Sequence, residues 1–143
     1  MFDQAVKTVM ERQRIVKARP DESVTTTAKL MLKHRVGAVL VMEDERLVGI
    51  FTERDIAFRV VARDLDPRST CLADVMTPTP ETIDPDKPFG SALVRMHEGR
   101  FRHLPVVRDG KVLGMVSARN AMDPELEEYA FEANRRKHFA TKR

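Results

Sequence analysis

The chain is written twice, and this limits its possible folds more than any other feature. The stretch "RVGAVLVMEDERLVGIFTERDI" (35–56) runs in register with "RFRHLPVVRDGKVLGMVSARNA" (100–121). Arg35 falls on Arg100, Val41 on Val106, Gly49 on Gly114, Thr52 on Ser117, Arg54 on Arg119 and Asp55 on Asn120, always 65 residues apart. The same offset sets Pro20-Asp21 on Pro85-Asp86 and Met31 on Met96, and "TVM" (8–10) echoes "DVMTP" (74–78) one residue out of step. A fixed-period echo means one supersecondary unit used more than once, each copy burying an apolar face that it cannot cover alone.

Each copy reads the same way. Asp21 and Asp86 stand where they can cap helix starts. Behind the first, Val24, Ala28, Met31 and Leu32 recur at helical spacing; behind the second, Phe89, Leu93 and Met96 do. Next come "VGAVLVM" and "LPVV", short and rich in branched residues, as strands buried on both faces should be. "EDER" and "RDGK" are polar turns, the second with the Asp-Gly pair that favours a hairpin. The strands "LVGIF" and "VLGMV" follow, and then helices, from "ERDIAFRVVARDL" and "ARNAMDPELEEYAFEANRRK". Asp123-Pro124-Glu125 supplies a further helix start, with a cap residue and then proline at the first helical position. The expected fold class is α/β (α+β): two pseudo-twofold-related β-α-β-β-α repeats packed sheet to sheet, with flanking N- and C-terminal helices. The expected boundaries are 1–66 for the first repeat with its N-terminal helix, 67–122 for the second, and 123–143 for a helical tail, all in one compact module. The connector "RDLDPRSTCLADVMTPTPE" holds three prolines and a short helix candidate, "CLADVM", so it can cross between copies.

Composition narrows the class. With 42% hydrophobic and 33% charged residues, 143 residues fit one globular domain. No apolar run nears the ~20 residues that span a bilayer. The first residues lack the basic and apolar regions of a signal peptide, so a cytoplasmic protein without membrane contact is expected. The lone Cys71 excludes an internal disulfide and a multi-cysteine metal cluster. His34, His97, His103 and His138 show no metal-ligand spacing. No Gly-rich phosphate loop or serine elbow appears, so no catalytic residues and no catalytic cofactor are assigned. The net charge of +3 is mild, with much of the excess in "NRRKHFATKR" after the acidic "DPELEEY". A helix with acids first and bases last suits its own dipole. Nucleic-acid binding by this basic tail is the other reading, though no basic-aromatic stripe runs through the body.

"VGIFTERD" (48–55) carries the chemistry. Thr52 and Asp55 are three apart, across a strand end and the first helical turn, and share a face there. Asp55 is an acceptor-only carboxylate with two oxygens, which suits the paired donors of a ribose 2′,3′-diol. Thr52 stands beside the amides of a helix start, where phosphate is favoured, and Arg54 can add a charge-assisted contact. Gly49 permits close approach of another backbone or a ligand. The plainer reading is that Thr52 and Asp55 cap the helix, and the two roles are compatible. In the second copy Ser117 and Arg119 keep the pattern, but Asn120 replaces Asp55 and has one acceptor oxygen and no charge. The two sites are therefore expected to be unequal, with Asp55 marking the better ribose site.

"DVMTP" at a repeat start, "HLPVV" before the hairpin, and "GIFTERD" and "GMVSARN" after it resemble the cystathionine-beta-synthase (CBS) domain, present as a tandem pair, over roughly 8 to 122. The resemblance implies a flat disc with two symmetry-related clefts. It implies adenine-nucleotide ligands (AMP, ADP, ATP or NAD, and in some members S-adenosylmethionine) and a sensing role without catalysis. By analogy the adenine slot takes Val16, Lys17, Val36, Gly37 and Ala38 in the first half. In the second it takes Thr79, Pro80, Thr82, Ile83, Arg102, His103, Leu104 and Pro105. Most of these read equally well as core. Arg100 and Arg102 flank Phe101, so on an extended segment both would point one way, as an anion-facing pair or as two solvated side chains. His103 has either a ligand or a packing role.

The expected function is that of a regulatory adenine-nucleotide-binding protein, sensing energy or redox state through ligand-dependent conformational change. Its output would lie in an effector protein or in its own dimer. The alternative is a nucleic-acid-binding or scaffold protein using the basic tail. Phe2, Val6, Val9 and Met10 make one apolar helical stripe, and Leu126, Tyr129, Ala130 and Ala133 another. Such stripes must pack on their own disc or on a partner, and a homodimer is expected.

Overall fold

Helix and strand periods alternate along the chain as the two copies require. The elements are α1 (Val6–Val9), β1 (Lys17–Ala18), α2 (Val24–His34), β2 (Ala38–Glu43), β3 (Arg46–Thr52) and α3 (Glu53–Asp55), which continues as a π-helix over Ile56–Val61. Then come α4 (Leu72–Val75), β4 (Thr77–Pro78), α5 (Phe89–Gly99), β5 (His103–Arg108), β6 (Lys111–Ser117), a 3₁₀ turn (Ala118–Met122) and α6 (Pro124–Thr141). The computed structural model of the protein describes residues 1–10, 15–122 and 124–141. The cap expected at Asp123 and the stripe of Leu126, Tyr129 and Ala130 lie outside the described residues and side chains.

The hairpins repeat down to their irregularities. Val41 pairs with Gly49 in β2–β3, and Val106 with Gly114 in β5–β6; a bulge follows Val41 in one and Val106 in the other. β1 lies parallel to β2, and β4 antiparallel to β3, which makes a four-stranded sheet. Ile83 makes the corresponding parallel bridge to Val106. At the second turn both Asp109 and Gly110 have positive φ, 52° and 76°, as a type I′ turn demands. Gly49 does provide a close approach: a Cβ there would stand 2.3 Å from the Met76 sulfur.

Helix starts depart from expectation. Ser23, not Asp21, caps α2, its Oγ accepting from the Thr26 amide at 3.1 Å. Asp21 stands too far ahead of Val24 to reach those amides and pairs with Arg19 instead. α5 has Pro88 at its cap position and no side-chain cap. Asp86 is held by Lys7 and Arg108, which lower its pKa below the usual carboxylate range through their hydrogen bonds.

Backbone from the other repeat serves these helix starts. The Phe89 and Gly90 amides of α5 donate to the carbonyls of Gln4 and Phe2, at 2.7 and 2.9 Å. The Val24 and Thr25 amides of α2 donate to Thr70 and Pro67, at 2.9 and 3.0 Å. In return Val6 and Lys7 donate to Lys87 and Pro85, while Leu72 and Ala73 donate to Glu22 and Pro20. The segment leading each repeat in sequence thus docks on the other repeat in space. Apolar packing follows the same exchange: Leu72 and Val75 join Val24, Val39, Phe51 and Val60, while Val6 joins Ile83, Phe89, Leu104 and Val116. A third cluster of Ala38, Leu40, Ile50 and Met115 fills the space between the two sheets. Of the N-terminal stripe, Val6 is fully buried, Val9 and Met10 are half-buried, and Phe2 is exposed. In α6 the described side chains from 131 to 140 are exposed apart from half-buried Ala133.

Candidate functional site

The end of β3 turns directly into a helix, and Thr52 and Asp55 lock that turn reciprocally. The Thr52 amide donates to Asp55 Oδ2 at 2.9 Å, and the Asp55 amide donates to Thr52 Oγ1 at 3.4 Å, which is a capping box. The second copy keeps the shape: the Ser117 amide donates to Asn120 Oδ1 at 2.7 Å, and the Ser117 hydroxyl to the same oxygen at 3.2 Å. The first copy thus has the full reciprocal box, and the second keeps the half in which the Asn120 side chain accepts from Ser117. The carboxylate of Asp55 has one oxygen more than Asn120 needs for it. That oxygen, Oδ1, lies 3.4 Å from Arg59 Nε. Arg59 also donates to the carbonyls of Val75 and Met76, at 3.4 and 2.9 Å, and so ties this helix to the segment leading into β4.

Beyond Asp55 the helix widens. Amides donate five residues back, Ala62 to Ala57 and Leu65 to Val60, each at 3.0 Å. Such π-segments occur mostly as single insertions and often at functional sites; no sequence signal marked this one. Two of the helix-start amides expected to meet phosphate are already used. Glu53 donates to the Gly37 carbonyl at 3.0 Å and Asp55 to Thr52, which leaves more of the anion-binding work to side chains.

Two clefts open between the repeats. The first, about 670 Å³, has Thr52, Arg54 and Asp55 on one side. Thr79, Pro80, Arg100, Arg102 and His103 line it too, with Ile50, Ala57, Phe58 and Phe101 as apolar surface. Arg54 spans it, donating from Nη1 to the Arg100 carbonyl at 3.0 Å beside the Phe58 ring. The second, about 980 Å³, collects Val36, Gly37 and Ala38 from the first repeat and Arg102, His103, Ser117 and Arg119 from the second. Both volumes fall in the range of roughly 300–1,000 Å³ typical of small-molecule sites.

Arg100 and Arg102 do share the first cleft, but not along an extended segment. Arg100 has a φ of 58° as the left-handed residue closing α5, and Arg35 repeats this at 52° after α2. Thr79, branched at Cβ, also stands at positive φ, 46°, in the first cleft. Residues held this way cost about 1–3 kcal/mol and gather at ligand sites.

Seven expected site residues line neither cleft among the described residues. Val16, Ile83 and Leu104 are core, and Pro105 is buried with its carbonyl accepting from the Ile83 amide. Lys17 pairs with Leu40 in the sheet. The Thr82 carbonyl takes Arg95 Nη1 at 2.8 Å, and Asn120 serves its turn. Glu53, Phe58, Arg59 and Phe101 in the first cleft, and Arg35 and Ile56 in the second, were not expected. Among the described residues no group of three His, Cys, Asp or Glu side chains could hold a metal ion. No described helix is long and apolar enough to cross a membrane.

Comparison with known proteins agrees with this architecture. A CBS domain-containing protein of Arabidopsis thaliana, CBSCBSPB1, is 39% identical over 118 residues, 81% of this chain and 22% of that protein. The chain spans about a fifth of the length of the curated relatives it matches first. The crystal structure of an uncharacterized conserved protein from Pyrococcus horikoshii has a TM-score of 0.79 at 28% identity, covering 85% of this chain and 92% of that one. The CBS domain pair of protein MJ0100, solved in complex with 5′-methylthioadenosine and S-adenosyl-L-methionine, has a TM-score of 0.74 at 26% identity, over 82% of this chain and 92% of that one. A family model for the CBS domain matches residues 6–62 and again 72–124, one match to each repeat, and the chain belongs to the CBS-domain family as a tandem pair.

Proposed function

We propose that this CBS pair is a regulatory module whose first cleft takes an adenosine-type ligand such as AMP, ADP, ATP, NAD or an adenosyl sulfonium compound. One observation carries the reading: Asp55 of the first repeat lines the same cleft as Arg100 and Arg102 of the second. An acid that still has acceptor capacity on Oδ1 suits a ribose hydroxyl, and arginines lining the same cleft suit phosphate. Phe58 and Phe101 offer apolar surface for a base. The MJ0100 pair, bound to two adenosyl compounds, supports the ligand class. A ligand touching both repeats shifts their arrangement by the difference in its affinity for the two states, and that shift is the signal.

The inequality of the clefts belongs to this reading, since Asn120 is not among the residues lining the second. Thermal-shift screening of an adenine-compound panel should give stabilisation by mass action. Calorimetry on Asp55→Ala and Asn120→Ala should show the larger affinity loss with the first. Absence of any shift, or loss with Asn120→Ala alone, overturns the assignment. A homodimer and a cytoplasmic, non-catalytic role complete the proposal. Exposed Val61 and Leu65, at 66% and 40%, are surface a second copy would cover. Sedimentation of a single monomer at micromolar concentration, or turnover of bound nucleotide, would count against these.

A further inference from the structure

The two clefts meet at one wall. Among the described residues, Glu53, Arg102 and His103 line both. These are positions where the repeat loses its symmetry: Glu53 answers to Ala118, Arg102 to Gly37 and His103 to Ala38. The backbone has kept what the side chains broke. The Glu53 amide donates to the Gly37 carbonyl at 3.0 Å, and the Ala118 amide to the Arg102 carbonyl at 2.9 Å. One contact thus carries an acid over glycine, and its twin carries an arginine beside alanine. A Cβ on Gly37 would lie 3.1 Å from Glu53 Oε1, so a larger residue there would press on the Glu53 carboxylate.

The arginines around this wall differ in freedom. Arg54 is tethered to the Arg100 carbonyl, and Arg59 to Asp55 and Met76. Arg102 is exposed, and its guanidinium makes no ion pair or hydrogen bond among the described residues. It is a positive charge bordering both clefts, on a long and flexible side chain.

We propose that the clefts are coupled through Arg102: a phosphate-bearing ligand in one draws the guanidinium to its side and weakens anion binding in the other. The proposal rests on the nucleotide reading above and adds its regulation. One long side chain holds one rotamer at a time, so a guanidinium drawn into one cleft is withdrawn from the other. The coupling is reciprocal, as linkage requires. A neutral nucleoside makes no demand on Arg102 and feels no coupling.

The test is calorimetry with ADP, with adenosine as the uncharged control. Ala57→Phe crowds the first cleft from an exposed position and leaves the capping box intact; Glu81→Trp does the same from the opposite side if the first variant folds poorly. With the first cleft blocked, ADP should bind the second at least about fivefold tighter than in the second binding event of the wild type, the lower end of typical coupling. Adding Arg102→Ala should reduce that difference below about twofold, and adenosine should show none. Equal second-cleft affinities in wild-type and blocked protein overturn the proposal. So does a difference that survives Arg102→Ala, or a blocked protein that binds no ADP in its second cleft. Folded wild-type protein that binds no ADP at all refutes the nucleotide reading itself.

Discussion

Replacing Asp55 by asparagine separates what this residue does for the fold from what it does for a ligand. The substitution copies nature's own choice at position 120. There the amide oxygen accepts the Ser117 amide at 2.7 Å and the Ser117 hydroxyl at 3.2 Å. Asp55 Oδ2 does the same for Thr52 at 2.9 and 3.3 Å, so the capping box should survive. The fold loses the charge opposite Arg59, a contact of 3.4 Å to a side chain that is 39% exposed and still donates to Met76. A partly exposed pair of this kind is worth about 0.5 kcal/mol, or a fall in Tm of roughly 2 °C for a chain this long. The ligand loses more. Hydrogen bonds to a charged group contribute ~1.5–3 kcal/mol against ~0.5–1.5 for neutral ones, a difference near 1.4 kcal/mol and about tenfold in Kd. Adenosine is the probe, since it carries the diol without phosphate. Calorimetry should show the tenfold loss beside the small thermal shift, and Asn120→Asp should leave first-cleft affinity unchanged. A loss under twofold, or a Tm fall of several times the estimate, would mean that Asp55 is a cap and nothing else.

Other predictions follow from the packing. Val6→Ala empties a fully buried site in the second repeat's core and should cost about 2 kcal/mol. Hydrogen exchange should then quicken in α5 and β5 before α2 and β2; the opposite order contradicts the exchange of leading segments. Thr79→Gly relieves a β-branched residue at φ 46° and should raise Tm by roughly 1–3 °C, measured by thermal melting, while ligand affinity does not improve. Asp86 has its pKa lowered by hydrogen bonds from Lys7 and then Arg108. Its contribution is complete above the ordinary carboxylate value of about 4 and disappears as pH falls through the lower folded value. Protection factors of the amides of residues 4 to 8, taken against the intrinsic rate at each pH, should therefore fall near pH 3, and Asp86→Asn should flatten that dependence.

The repeat made the hairpins legible. Branched residues flanking Gly49 and Gly114 at one offset predict two equal ladders, and the ladders pair Val41 with Gly49 and Val106 with Gly114. Asp55 was legible too, because acid and hydroxyl spacing survives translation into a helix turn. Three things were not. A cap residue can be read only if the helix start is known to within one residue, and the starts at Val24 and Phe89 pass over Asp21 and Asp86. The widening at Ile56–Val61 has no proline or glycine to announce it. Whether an apolar residue faces a cleft or a core depends on which sheet covers it, so Val16, Ile83 and Leu104 read equally well either way in sequence; Leu72 and Val6, packing from the opposite repeat, share their core clusters.

That crossing of the leading segments also governs how the chain can fold. Lys7 meets Asp86 across 79 residues of sequence, so the second repeat cannot complete its core until nearly the whole chain has been gathered. Closing long loops costs little extra stability but slows folding. Neither repeat is then a kinetic intermediate that stands alone. A polypeptide severed between 62 and 72, in the gap between the two family matches, would give two incomplete halves, each presenting a groove shaped for the other's leading segment. Mixed together, they should complement each other and reassemble; alone, each should pair with another copy of itself by strand and helix exchange.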